Sequence, residues 1–448
     1  MARRITGLET EYGCLVDGPL QLQEILPRIR DWLFENHRYG LIDQHDRDWD
    51  EPAGNGGFLF NGGRVYIDMQ HMEYCTPECA SVVDVVRYDR AGDMLLLEAV
   101  KALGLEEKVH FIRNNIDHYT GATFGCHENY SMDRHAPLHE KNVLSLLAFL
   151  TLRVLYTGAG RVGSIRPMRL RGETAPSEEA VPFQISQRAD YIQNDFFEWV
   201  QHNRAIINTR DEPLADPRFY RRLHLIHGDT NVLPATLFLK AGTTRLVLDL
   251  LEANELPHIA LQDAVTSLRS LSRTLAPPWE VNLATGRPAD ALELLHAYQE
   301  KARRLFAGRD PETDAILGLW RRVLDALVND RASLVGLLDW TTKEFLLREF
   351  CRAEELEWGD PWLEAQDLEF HHTDPGRGLG LALANRDGVW EPTQLDRAMS
   401  HPPKNSRAHA RSRLMREIEH GAASYILDWE SVEVPDQERV LLLNPFQP

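Results

Sequence analysis

The chain has 448 residues, a net charge of -19 and 43 % hydrophobic residues, which suits a globular protein and argues against a general nucleic-acid binder, since such proteins carry a basic balance. At this length a large catalytic domain with an accessory module is expected. The five cysteines, Cys14, Cys75, Cys79, Cys126 and Cys351, are odd in number and lack CxxC spacing, so a reduced, cytoplasmic chain is expected.

Ile5 to Tyr12 reads Ile-Thr-Gly-Leu-Glu-Thr-Glu-Tyr, a strand pattern that sets Glu9 and Glu11 on one face, about 7 Å apart at roughly 3.3 Å per residue. The pair repels unless a cation lies between. A hard metal such as Mg2+, which takes carboxylate oxygens and bridges phosphates, resolves this; a solvated edge strand is the alternative. The same two glutamates interrupt any secretory apolar region. Leu22, Ile25, Leu26, Ile29, Trp32 and Leu33 recur at helical spacing, so an amphipathic helix links this strand to the next chemical one. His45 to Gly57 is polar and Gly-rich and reads as an exposed loop.

Arg64 to Thr76 carries the densest information. Strand alternation sends Arg64, Tyr66 and Asp68 one way and Val65, Ile67 and Met69 the other. A cation, a phenol and a carboxylate on one face are costly to bury without function; a surface salt bridge is the plainer reading. Cys75 and Cys79 supply only two metal ligands, too few for zinc. The longest apolar run, Val143 to Tyr156, is shorter than the roughly 20 residues of a membrane span, and Asn142 to Tyr156 reads as a core helix. Gly158-Ala-Gly160-Arg-Val-Gly163 matches a dinucleotide fingerprint, but a helix-length run precedes it and Pro167 follows, so the strand-turn-helix context fails.

Arg161 to Pro182 reads as a loop before a strand at Phe183 to Ser186. Helices are expected over Asp263 to Leu275, Leu292 to Phe306 and Ile316 to Leu327. Glycines cluster from Asp374 to Gly388, which divides the chain into a catalytic domain over 1–385 and a small C-terminal domain over 386–448. In the latter Arg407 to His420 reads as a helix, and Tyr425 to Val434 with Arg439 to Leu443 as a hairpin around Pro435-Asp436.

The segments Gly7-Leu-Glu-Thr-Glu-Tyr-Gly13, Asn61 to Asp68, His71 to Tyr74, Pro77 to Cys79, Asn114-Asn115, Gly125 to Tyr130, Ser186 to Arg188 and Ile206 to Pro213 together resemble the Pup ligases and their sister group, the Pup deamidases and depupylases. The resemblance runs from Ile5 to Pro445. It implies an α+β fold, a glutamine synthetase-like curved antiparallel sheet backed by helices, with a small C-terminal domain. It also implies ATP and Mg2+ as cofactors. Glu9, Tyr66 and Glu73 match positions that ligand magnesium, Arg64, Thr76 and Trp429 match positions that contact ATP, and Asp68 matches the catalytic base. Glu11 is added as a metal ligand by its shared face with Glu9, and His127 and Asn129 are placed near metal or phosphate, with a core histidine as the alternative. Arg210, Arg222 and His224 are candidates for phosphate or substrate carboxylate, against surface ion pairs.

The implied chemistry is activation of a C-terminal glutamate side chain by ATP and attack by a target lysine. The sister activity hydrolyses an amide or isopeptide bond, and a small-molecule carboxylate-amine ligase is a further alternative. The short Cys14 to Gly57 segment, Cys126 before His127 and the Val440 to Phe446 ending resemble the ligases. The step from Asp68 to Glu73, Thr76 to Cys79, Phe183 to Arg188 and Leu246 to Asp249 resemble the deamidases. The ligase is favoured because the short segment is tied to activity. Partners are then a small acidic Pup-like modifier and lysine-bearing targets, with no nucleic acid and no membrane. The acidic modifier is expected on local basic clusters: Arg161, Arg166, Arg169 and Arg171; Arg218, Arg221 and Arg222; Lys404, Arg407, Arg411 and Arg413.

Overall fold

The computed structural model describes residues 4–48, 51–118, 121–163, 181–198, 204–384, 395–419 and 424–448. Its centre is a strand rich in alternating residues, β1 (Thr6–Val16), whose Leu8, Thr10 and Tyr12 are buried while Glu9 and Glu11 are partly open. Four short strands precede the long helix of the back layer: β2 (Gly40–Ile42), β3 (Gly56–Leu59), β4 (Arg64–Asp68) and β5 (His71–Cys75). Then come β6 (Val109–Ile112) and β7 (Cys126–Asp133), and later strands Asn194–Phe197, Ala205–Asn208 and Tyr220–Leu225. In space the order is Asn194–Phe197, Ala205–Asn208, Tyr220–Leu225, β7, β1, β5, β4, β3, β2, with β6 on the far end of β1. The expected α+β class and sheet are observed. One pairing departs from the expected antiparallel sheet, because Asn194–Phe197 runs parallel to Ala205–Asn208 at the edge.

The chemical segment after Gly63 is two strands, not one. Met69 and Gln70 both take positive φ, 39° and 74°, and turn β4 back onto β5 as a two-residue hairpin whose twist suits its strands. Tyr66 therefore lies directly opposite Glu73, and Asp68 opposite His71. Part of the segment expected as an exposed loop is instead strand: Gly56 opens β3 and is buried, because a Cβ there would stand 2.3 Å from that of Tyr66.

Behind the sheet lie α1 (Leu22–Phe34), as the periodicity predicts, α2 (Val82–Ala102) and α3 (Glu140–Leu152). The expected core helix over 142–156 breaks at Arg153, which turns inward to pair with buried Glu128, and a short helix Val154–Thr157 follows. The helices Ala264–Arg273, Ala291–Phe306 and Pro311–Asn329 match the expected spans, the last extending further at both ends. Helix α2 is absent from the sequence reading because charges interrupt its apolar pattern. Three of those charges, Asp89, Arg90 and Asp93, are buried: Arg113 pairs with Asp89 at 2.7 Å and Asp93 at 2.6 Å, and the Tyr12 hydroxyl donates to Asp93 at 2.7 Å. This network ties α2 to the back of β1. No described helix is long and apolar enough to cross a membrane.

The C-terminal part contributes the helix Arg407–Glu419 and three short antiparallel strands, Ile426–Leu427, Ser431–Glu433 and Val440–Leu441. The arm expected over Tyr425 to Val434 is two strands, Ile426–Leu427 and Ser431–Glu433, and the second of these makes the hairpin with Val440–Leu441, turning through Asp436 at φ 63°. Residues 386–394, at the expected domain boundary, lie outside the described residues.

Candidate active site

Register sets the site. Glu9 on β1 faces Cys75 of β5 on one side and His127 of β7 on the other, and Glu11 faces Glu73. Two groups of donors result, each with ligand atoms within 4.8 Å of one another: Glu9, His127 and His224, and Glu11, Asp68 and Glu73. The alternation that predicts a shared face for Glu9 and Glu11 is observed, and each glutamate belongs to its own group.

In the first group Glu9 accepts from Asn129 Nδ2 at 2.8 Å, and its other oxygen lies 2.9 Å from His127 Nδ1. Burial would raise the Glu9 carboxyl, but the bond and charge of His127, with His224 and Arg222 beyond, hold it well below the usual carboxylate range. His224 packs its ring 5.2 Å from that of His127. Both its ring nitrogens are buried without a hydrogen-bond partner, and burial pushes it down to about 3 against the pull of Glu9. A neutral, unpartnered imidazole beside an ionised carboxylate is a ligand in waiting.

In the second group Glu11 accepts from the Gly125 N–H at 2.6 Å. Glu73 is 3 % exposed; burial first, then Glu9 and Glu11, push its carboxyl well up, against a hydrogen bond from Tyr66. Tyr66 is raised in turn by burial and by Glu73. Carboxylates crowded this way call for a cation. The carboxylates of Glu11 and Glu73 fit a hard divalent ion, with Asp68 within reach of both at the more open end of β4, and Glu9, His127 and His224 form a mixed oxygen and nitrogen set.

Arg64 is buried and tied: Nη2 donates to Asp43 Oδ2 at 2.9 Å and to Glu51 Oε2 at 2.7 Å, and its guanidinium lies 4.2 Å from the Tyr66 ring centroid. Despite burial, those two carboxylates raise it above its ordinary value. Beside Glu9 opens a cavity of about 120 Å3 lined by Thr76, Arg222, Arg407 and Trp429 among others. Thr76 is fixed there because its hydroxyl accepts from the Leu8 N–H at 3.0 Å. Trp429 is held at 5.0 Å from Phe58 in an edge-on contact and under the Arg411 guanidinium at 4.9 Å. Glu9, Thr76 and Trp429, far apart in sequence, thus meet around one opening.

Other expected residues lie elsewhere. Arg210 is 52 % exposed and donates to Glu212 at 2.9 Å, outside the cavity lining. Arg218 and Arg221 pair with Asp216 and Asp211, at 2.6 and 3.7 Å. Arg407 and Arg411, expected on an open basic surface, are buried on Glu78, at 2.6 and 2.7 Å, because the helix face that carries them packs on the sheet. Arg161 is buried near Asp190, and Arg166, Arg169 and Arg171 lie outside the described residues. Cys75 and Cys79 are both buried free thiols, Cys75 lying 3.8 Å from Glu73. The Gly158 to Gly163 run is a close approach: a Cβ at Gly158 would stand 2.3 Å from the Ile185 carbonyl oxygen.

Residues 4–433 match the profile of the Pup-ligase protein family. The chain is 34 % identical over 472 aligned residues to a Pup–protein ligase of Corynebacterium efficiens, covering 100 % of this chain and 92 % of the relative. It is 37 % identical over 395 residues to a Pup deamidase/depupylase of Mycolicibacterium smegmatis, covering 86 % of this chain and 76 % of the relative. Among solved structures it is similar to the complex of the prokaryotic ubiquitin-like protein Pup with its ligase PafA, with a TM-score of 0.84 at 31 % identity over 99 % of this chain and 90 % of that one. It is also similar to PafA in complex with ADP, with a TM-score of 0.78 at 30 % identity over 98 % and 93 %.

Proposed function

The chain belongs to the Pup-ligase protein family, and on that premise we propose that it is an ATP-dependent ligase joining the C-terminal glutamate side chain of a small Pup-like modifier to a target lysine. The observation that carries this reading is the pair of donor groups built around Glu9 and Glu11 of β1, the first of which opens onto a cavity walled by Thr76, Arg222 and Trp429. The full-length match to a ligase and the ADP complex of a similar ligase support it. The five free cysteines support a reduced, cytoplasmic setting.

A carboxylate is a poor acyl donor, so its side chain is first phosphorylated by ATP and the resulting acyl phosphate is then attacked. Glu11 and Glu73, with Tyr66 against Glu73, would hold one Mg2+, and Glu9, His127 and His224 a second divalent cation. Bound there, such ions neutralise charge on the transferred phosphoryl group. Thr76 and Trp429 position the nucleotide, whereas Arg64 lies outside the cavity lining with its charge matched by Asp43 and Glu51, and its guanidinium packs on the Tyr66 ring and fixes that phenol. The attacking lysine must lose a proton, since its reference pKa is near 10.4. Asp68, opposite His71 at the end of β4, accepts that proton as the lysine nitrogen bonds to the acyl carbon and phosphate leaves.

The test is incubation with a Glu-ending Pup, a lysine-bearing acceptor, ATP and Mg2+. The expected result is a conjugate larger by one modifier with one ADP released per bond. The identity to a depupylase favours hydrolysis as a second reading. A Gln-ending modifier gaining about one mass unit, or a conjugate cut back to its parts, would replace the first reading with that one.

A further inference from the structure

Two helices late in the chain, Asp339–Glu354 and Trp362–Phe370, meet at an aromatic pair. Trp362 is 64 % exposed, yet it is held twice: its N–H donates to Asp360 at 2.9 Å, and its ring stacks on Phe350 with centroids 6.5 Å apart at 20°. Helical spacing sets Ala365, Gln366 and Glu369 on the face that carries Trp362, while Leu363, Asp367 and Phe370 are buried on the other. Glu354 follows Phe350 by four residues and so lies beside the ring pair. The surroundings are acidic. Glu354, Glu355, Glu357 and Glu369 are exposed and Asp360 and Glu364 half-buried, and among the described residues none of these carboxylates has a cationic partner, because the two arginines of the longer helix, Arg348 and Arg352, are taken by Glu344 and Glu349. Trp358 carries the Arg348 guanidinium 5.5 Å from its ring centroid, but no described cation lies over Trp362. A held, exposed indole among unpaired carboxylates receives a cation well, since the ring face and the acids attract the same group.

We propose that this face docks the lysine-rich surface of the protein acceptor, at a distance from the atoms that react; this rests on the function reading above. Charge complementarity selects the occupant: one lysine or arginine of the acceptor covers the Trp362 ring while its neighbours face the carboxylates. The place in the fold makes the face an exosite. On the buried side of the short helix Asp367 lies 2.9 Å from His118 Nε2, Ile116 bridges to Thr123, and the next ring, Phe124, packs 4.7 Å from His71, opposite Asp68. Trp362 thus stands from Asp68 by the helix itself and the segment packed under it, on the order of two to three helix widths or roughly 20–30 Å. A folded acceptor spans that distance and a free amine does not. A nucleic acid is repelled by the acids, and a second copy of this chain, of net charge -19, meets like charge.

The experiment compares W362A and the E354K/E369K double variant with the unaltered protein. All three side chains are exposed, and ADP-induced thermal stabilisation checks that fold and nucleotide site persist. Conjugation is followed with two acceptors, cytochrome c as a small folded protein with a lysine-rich surface and free lysine as an amine too small to reach the face, at about 50 and about 300 mM salt. Expected at low salt is a KM for cytochrome c raised about fivefold or more in both variants with kcat kept, and kcat/KM for free lysine within about twofold of the unaltered protein. At high salt the unaltered protein should approach the double variant. An unchanged KM for cytochrome c in both variants overturns the proposal. So does an equal loss with free lysine, which would mean that the substitutions disturb the active site, and so does self-association of the unaltered protein that W362A abolishes in sedimentation, which would make the face an interface between copies. If the unaltered protein joins the modifier to neither acceptor, the function reading fails first and the docking assignment falls with it.

Discussion

Asp68 and Glu73 sit at opposite ends of a five-residue hairpin step, and their environments divide the work between them. Glu73 is buried against Tyr66 and the other carboxylates, and Asp68 lies at the more open end of β4. Asp68→Asn should therefore lower kcat for conjugation by about 10²- to 10⁴-fold, the range of a lost general base, while ADP still raises the melting temperature. Activity within threefold of the unaltered protein in a single-turnover assay would remove Asp68 from the proton transfer. Strand alternation made this much legible, because Glu9 with Glu11 and Tyr66 with Asp68 share faces through chain-local geometry. His224 stood in the sequence only as a candidate for phosphate or a substrate carboxylate, since its place beside His127 depends on a strand pairing that sets it opposite Asn129 across 95 residues. Its two unpartnered ring nitrogens lead to a second prediction. His224→Ala should weaken divalent-cation binding about tenfold or more in calorimetric titration, whereas a ring that is only core packing would leave that affinity alone and lower stability instead.

At the scale of elements, the C-terminal helix is fastened to the catalytic sheet through one carboxylate. Glu78 follows β5 by three residues and receives Arg407 Nε at 2.6 Å and Arg411 Nη2 at 2.7 Å. Burial would raise it, yet the two guanidinium groups bring it from 4.5 down to about 2. A carboxyl depressed on folding stabilises the protein above its unfolded value and loses that contribution as pH falls through its folded value. For Glu78 the window runs from 4.5 down to about 2, and the shift corresponds to roughly 3 kcal/mol. Glu78→Gln should lie several kcal/mol below the unaltered protein near neutrality, because two buried cations lose their partner. The gap should narrow toward pH 2 in urea unfolding. A gap that is constant with pH would show that packing, not charge, fastens the helix. Such an anchor is invisible in sequence, where Arg407 and Arg411 look like surface charge, just as Asp89 and Asp93 hid helix α2 by interrupting an apolar face that is in fact buried around them.

For the molecule as a whole, the question is whether the C-terminal part is a domain in its own right. Its apolar residues Met415, Ile418, Tyr425, Leu427 and Val432 form a cluster with Leu41, Phe58 and Phe60 of the sheet region, so its core is shared with the catalytic body. Arg47 adds a bond to Asp428 at 2.6 Å, and Trp429 reaches from the C-terminal strands into the cavity wall. A part that shares its core with its neighbour gains less by folding alone, since each large side chain is worth about 1.5–3 kcal/mol when buried. Calorimetry should therefore show one cooperative transition for the full chain. ADP with Mg2+, binding only the folded state, should move that whole transition upward; at a hundredfold excess over Kd the gain is about 2.7 kcal/mol. A fragment ending at residue 385 should lose this response and expose Phe58 and Phe60, registering as dye binding and aggregation at temperatures where the full chain is stable. Two resolved transitions in the full chain, or a fragment that keeps its ADP-dependent shift, would establish an autonomous domain and move the nucleotide site off the shared wall.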